Sequence, residues 1–121
     1  MKLNLTAIGL GIVSDLAISA LGAICLSFAG ITADSQELYM WSLILGLGAI
    51  VAGGCVTFIK SPGYAFANTL AFAVIEILIG GLLTVRSPMP AWFVIASAVL
   101  IIPATLAGGY LGKITTFDWS R

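Results

Sequence analysis

Residues 39–59, YMWSLILGLGAIVAGGCVTFI, and residues 65–85, AFANTLAFAVIEILIGGLLTV, decide the fold of this chain. Each is a continuous apolar run of about 20 residues, the length of helix that crosses the hydrocarbon core of a bilayer. The connection between them, KSPGY at 60–64, carries a charge, a proline and a glycine, which end helices and form turns. The sequence therefore predicts two antiparallel membrane-spanning helices joined by a short loop.

Two further runs of the same kind flank this pair, at residues 5–31 and 91–112. The loops that join them, TADSQEL and RSPMP, are short and polar. None of the runs alternates with the period of two that a barrel strand shows, so helices are expected instead. We predict an all-α, four-transmembrane-helix bundle that forms a single four-span domain over residues 1–121.

The composition agrees with a lipid environment and excludes several functions. The 121 residues are 60% hydrophobic and 8% charged, with a mean hydropathy of +1.15, whereas soluble domains are about a quarter charged. Five basic and five acidic residues, dispersed along the chain, give no basic surface for nucleic acid. There is no histidine. Cys25 and Cys55 are expected toward opposite sides of the membrane, too far apart to bind one metal ion. We therefore expect no enzymatic activity, catalytic residue, cofactor or metal site.

The basic residues indicate the orientation. Four spans place both termini and the 60–64 loop on one side of the membrane, together with Lys2, Lys60, Lys113 and Arg121. Arg86 alone falls on the other side. Because cytoplasmic loops are enriched in Lys and Arg, both termini are expected in the cytoplasm. The expected location is the inner membrane.

Two acidic residues lie where a bilayer disfavours charge. Asp15 and Glu76 are about ten and eleven residues from the cytoplasmic ends of the first and third spans, or ~15 to 17 Å of helix rise. An ionised group near the membrane centre costs about 2.5 to 3.5 kcal/mol on insertion scales. Each acid therefore needs a partner, a water-filled cavity or a proton, and their similar depth allows them to meet and share one proton.

Small and polar residues share the helix faces of these acids, at spacings of three, four, seven or eight. They are Gly11, Ser19 and Gly22 around Asp15, and Asn68, Thr69 and Gly80 around Glu76. Such faces are expected in the bundle interior. The predicted proton or cation site comprises Asp15, Glu76, Ser19, Asn68 and Thr69. Two other interpretations stay open: protonated acids that only pack helices, and contact with a partner subunit.

Small residues four apart also let helix backbones approach each other closely. The predicted packing positions in the second and fourth spans are Gly48, Ala52, Gly53, Ala104, Gly108 and Gly112. AGG occurs at 52–54 and again at 107–109, each followed by a lysine, which is compatible either with two repeated helical hairpins or with chance in a glycine-rich chain. We expect the second and fourth spans to pack closely and the glycine-lined faces to support self-association.

The motifs GIVSD at 11–15, AGG at 52–54, IPA at 102–104 and GGY at 108–110 resemble those of a group of small uncharacterised four-span bacterial membrane proteins. The resemblance covers nearly the whole chain, although residues 60–70 depart from it. It implies the four-span fold and a bacterial inner-membrane location, and it carries no assigned activity.

The chain also resembles, more weakly, the small multidrug-resistance transporters, in which a carboxylate in the first span binds a proton or a cationic drug. Asp15 stands at the matching position, but it is Asp rather than Glu, and Glu76 is additional. The resemblance implies a small proton- or cation-coupled transporter. The other expectation is a structural or accessory membrane protein whose partners are the lipid bilayer, further copies of itself or a partner subunit.

Overall fold

The computed structural model describes residues 3–31, 35–61, 63–86 and 89–115. These residues form four helices and no strand, which confirms the predicted all-α four-helix fold. All four helices are long and apolar enough to cross a membrane. The helices are α1 (Leu5–Phe28), α2 (Gln36–Ile59), α3 (Ala65–Arg86) and α4 (Ala91–Thr115). Lys2 and Arg121, two of the residues that predict orientation, lie outside the described residues.

The first helix is shorter than the predicted span of 5–31. Asn4 caps its N-terminus, where the Asn4 side chain accepts a hydrogen bond from the Ala7 N–H at 3.0 Å. The helix ends at Phe28 because Gly30 adopts a φ of 74°, a left-handed conformation that glycine accommodates without strain. The apolar pattern continues past this point, but the backbone does not remain helical.

The other helices extend beyond the predicted apolar runs. Ser35 caps α2, and its Oγ accepts from the Leu38 N–H at 3.1 Å, so the polar residues Gln36 and Glu37 enter the first turn. The fourth helix continues to Thr115 rather than ending at residue 112, and α3 includes Arg86. Apolar runs mark the hydrocarbon-spanning part of a helix, whereas its ends are set by capping groups in the polar interface.

The second helix is central to the bundle and packs along both α1 and α4. Glycines make these contacts close. A Cβ atom on Gly108 would overlap the backbone carbonyl of Val51, and one on Gly112 would lie 3.1 Å from the Cys55 carbonyl oxygen. The backbones of α2 and α4 therefore touch, as helices with small interfacial residues do in membranes.

The predicted packing residues fall into two groups. Gly53, Gly108 and Gly112 lie in tight contacts within the chain, and Ala52 and Ala104 are half-buried. Gly48, in contrast, has no atom of another helix within 4 Å of the position of a Cβ. The expectation that Gly48 packs against another helix is wrong within this chain, because Gly48 is exposed on the outer face of α2, next to the buried Ala49.

Burial divides the bundle into two halves. The terminal half contains the start of α1 and α3 and the end of α2 and α4, and the far half contains the opposite ends of these helices. On each helix, the buried residue farthest from the terminal end of the bundle is Asp15 on α1, Ala49 on α2, Glu76 on α3 and Ile101 on α4. Beyond these positions, no described residue of the far half is buried. The terminal half is closed and the far half is open.

Candidate functional site

The two midplane acids lie at the boundary between the closed and open halves. Asp15 and Glu76 are the last buried residues of α1 and α3, with 6% and 8% of their surfaces exposed. Their side chains lie within hydrogen-bonding reach of each other. Because an ionised carboxylate only accepts hydrogen bonds, a bond between the two carboxyl groups requires one proton between them. The structure thus brings together two acids that are far apart in sequence.

The acid pair has few other partners. Ser19 Oγ donates to Asp15 Oδ1 at 3.4 Å, while Glu76 Oε1 is buried without a hydrogen-bond partner among the described residues. A buried oxygen without a partner costs free energy, so it is a natural acceptor for a proton, a water molecule or a cation. The described residues contain no cluster of His, Cys, Asp and Glu that is suited to a metal ion.

Two cavities in the far half meet next to the pair. One, of about 520 Å³, lies mainly between α3 and α4; the other, of about 370 Å³, lies between α1 and α2. Ser19 and Gly46 line both cavities. Since the Ser19 hydroxyl is also bonded to Asp15, a solute in either cavity lies one side chain away from the acids.

The cavity walls are apolar with scattered hydroxyl groups. No charged side chain lines either cavity, and the polar lining comes from serine and threonine. Both volumes fall within the range that holds a small organic ligand, about 300 to 1,000 Å³. The hydroxyl-bearing side chains are Ser19, Ser27, Ser42, Thr84 and Ser97. The arrangement combines apolar walls with a few hydroxyl groups, and the Ser19 hydroxyl links both cavities to Asp15.

Asn68 and Thr69, which the sequence assigned to the same site, belong to a different part of the bundle. They lie two helical turns from Glu76 toward the terminal end, or about 10 to 12 Å of rise. Asn68 Oδ1 accepts from the Asn4 N–H at 2.6 Å, and Thr69 Oγ1 donates to the Ala65 carbonyl at 2.7 Å. Their shared helix face was predicted, but residues on one face can differ widely in depth.

Sequence reasoning also missed residues that form the closed half. Apart from Phe72, the largest fully buried side chains are polar: Asn68, Thr57, Thr69, Thr105 and Ser61. The spacing of Thr57 and Ser61, four residues apart, could have indicated that both lie on one buried helix face. Each hydroxyl donates to a carbonyl four residues earlier, at 2.9 and 2.7 Å. Phe72 carries no comparable signal, because it is one of many apolar residues in its span.

The fold and the site together define the class of this chain, an all-α, multi-pass membrane protein with a buried carboxyl pair. No protein-family model, curated protein or solved structure matches the chain. Its function must therefore be argued from its own geometry.

Proposed function

We propose that this protein is a small transporter coupled to protons or cations, in which Asp15 and Glu76 form the binding site. One observation carries the proposal: the acid pair lies at the level where the closed half of the bundle meets the open half. In this arrangement the far-half cavities are the access path and the closed half is the barrier.

A transporter exposes its binding site to one side of the membrane at a time, and its site lies near the bilayer midplane. The bundle has the asymmetry that such a state requires. The terminal half is sealed by backbone contacts such as those of Gly54 and Gly108, while cavities of about 520 and 370 Å³ approach the acids from the far half.

The chemistry of the pair supports exchange. Two carboxyl groups that share one proton carry one negative charge, and a cation that binds the same oxygens competes with that proton. Binding of one ligand then promotes release of the other, which couples their movements. The few hydroxyl groups of the cavity can bind water that accompanies a proton or an alkali cation, and the apolar walls suit a small organic cation.

We place the protein in the inner membrane of a bacterium with both termini in the cytoplasm. Lys60 follows α2 and Lys113 lies in the last turn of α4, both at the terminal half, whereas Arg86 ends α3 at the far half. With basic residues toward the cytoplasm, the open half faces outward.

The second candidate is an accessory membrane protein that self-associates. Four glycines, Gly46, Gly48, Gly80 and Gly81, have no atom of another helix within 4 Å of a Cβ position, and all lie in the open half. A second copy of the chain would fill that half by close helix contact. In the closed half Gly9 is also open, whereas the other helical glycines already contact atoms of neighbouring helices: Gly11, Gly53, Gly54, Gly108, Gly109 and Gly112.

Flux measurements in proteoliposomes distinguish the two candidates. Purified wild type, Asp15→Asn, Glu76→Gln and the control Glu37→Gln are reconstituted with a pH-sensitive dye inside the vesicles. A gradient of sodium or tetramethylammonium is then applied. We expect cation-driven proton movement in wild type and Glu37→Gln, because Glu37 is exposed in the first turn of α2. Loss of that movement is expected in the two pair variants.

Equal fluxes in all four proteins, each shown to be folded, would reject transport and leave the accessory function. In that case crosslinking in native membranes would test for the second copy.

A further inference from the structure

Another cavity lies on the other side of the acid pair, in the terminal half. It has a volume of about 290 Å³ and is formed by α2, α3 and α4. Thr69 lines its wall opposite Gly109, whose Cβ position is 3.4 Å from Thr69 Cγ2. Tyr110 and Lys113 add polar groups to the same cavity. The acid pair therefore has cavities toward both ends of the bundle.

Only a thin layer separates the pair from this terminal cavity. Along α3, Glu76 and Thr69 are seven residues apart, or about 10 Å. The buried α3 residues between them are Phe72, which is 0% exposed, and Ala73, which is 2% exposed. Phe72 is the only large side chain of the two, and Ile8, Ile50 and Ile101 of the other helices pack in the same buried cluster.

The Phe72 ring is held in a slot between two glycines. A Cβ atom on Gly53 would lie 2.5 Å from Phe72 Cζ, and a Cβ atom on Gly11 would lie 3.2 Å from Phe72 Cδ2. Those two positions also mark the contact of α1 with α2, since a Cβ at either glycine would be 2.8 Å from the other's carbonyl oxygen. The ring thus fills the point at which three helices meet.

The ring packs in a buried apolar cluster with Ile8, Ile50, Ala73 and Ile101, and polar side chains are buried in the same half of the bundle. Thr57, Thr69 and Thr105 are buried in the same closed half, and Thr105 Oγ1 is buried without a hydrogen-bond partner among the described residues. Buried polar groups are normally satisfied by protein or by water, so an unsatisfied hydroxyl marks a place where water can be stabilised. An apolar constriction between polar segments is also how many membrane pores gate, by excluding water until the constriction widens.

We infer that Phe72 is the gate between the acid pair and the terminal cavity, which is the second vestibule of the path. This inference rests on the proposed transport function and adds the route by which the bound proton or cation leaves. Opening requires the ring to move out of the slot formed by Gly11 and Gly53. In the closed state the ring excludes water between Glu76 and Thr69.

The test is passive proton leak in proteoliposomes under an imposed membrane potential, without any other substrate. Phe72→Ala removes the ring, and Leu78→Ala is the control, since Leu78 lies on the same helix, is 62% exposed and lines neither the two far-half cavities nor the terminal cavity. We expect Phe72→Ala to raise the leak at least tenfold over wild type and Leu78→Ala to leave it unchanged. If Phe72→Ala does not fold, the proton leak is measured for Phe72→Val, which leaves a smaller opening and is also expected to leak more than wild type.

Wild-type leak in the folded Phe72 variant would overturn the gate. This result is distinguishable from failure of the proposed function, because the leak assay needs no coupling substrate and the exchange assay is done on the wild type. Exchange in the wild type without leak in the variant rejects only the gate. Absence of exchange in the wild type rejects coupled transport, whatever the leak.

Discussion

Replacing Gly108 with alanine tests the closed half by adding a single methyl group. The new Cβ would overlap the Val51 carbonyl oxygen and lie 3.0 Å from the Cys55 nitrogen. Both atoms belong to the backbone of α2, so a rotamer change cannot relieve the overlap and the two helices must separate. Overpacking of a core costs about 1 to 3 kcal/mol, and we expect the upper end of this range or more for a backbone clash.

Gly48→Ala is the matched control, because no atom of another helix lies within 4 Å of its Cβ position. Alanine is favoured over glycine in a helix by about 1 kcal/mol in water, so the control is expected to be neutral or slightly stabilising. The two variants should therefore differ by at least about 3 kcal/mol in free energy of unfolding.

The assay is reversible unfolding in mixed micelles with increasing SDS, followed by tryptophan fluorescence or circular dichroism. Equal destabilisation by the two alanines would refute the division of the bundle into a closed and an open half. Stabilisation by Gly108→Ala would refute the α2 and α4 contact itself.

Three further substitutions have defined outcomes in the same unfolding assay. Asn4→Ala removes the side-chain cap of α1 and the bond from Asn4 Nδ2 to the Lys60 carbonyl, while the backbone N–H bond to Asn68 is retained, so a loss of about 1 to 2 kcal/mol is expected, and no loss would contradict the cap. Thr105→Val replaces an unsatisfied buried hydroxyl with a methyl group of similar shape; a gain of about 1 kcal/mol is expected, whereas a loss would reveal a partner for the hydroxyl. Glu76→Gln should unfold like the wild type, because the new amide can donate to Asp15 in place of the shared proton. Marked destabilisation by Glu76→Gln would show that the pair needs both carboxyl groups for folding.

The sequence predicted the four helices because apolar length is a strong signal for membrane spans. Helix ends were less predictable, since they depend on single groups such as the Ser35 cap and the left-handed Gly30. The meeting of Asp15 and Glu76 followed from depth and face, two properties that can be counted along a helix.

The division into closed and open halves had no sequence signal. Glycines occur in both halves, and nothing in the local sequence separates Gly48, which contacts no other helix, from Gly53, which contacts α1 and Phe72. Periodicity indicates which face of a helix packs, but it does not show which end of the helix packs. Asn68 and Thr69 were assigned to the site of Glu76 for the same reason. A shared helix face does not show how far apart two residues lie along the helix.

Access to the two halves tests the account most directly. In a background with Cys25→Ser and Cys55→Ser, single cysteines are placed at Ser97, which lines the far-half cavity of about 520 Å³, and at Thr57, which is fully buried in the closed half. A water-soluble thiol reagent is added to each side of oriented vesicles. We predict labelling of Ser97→Cys from the far side alone and none of Thr57→Cys. Labelling of Thr57→Cys as fast as that of Ser97→Cys, or no labelling of Ser97→Cys from either side, would contradict a bundle that opens on one side down to the acid pair.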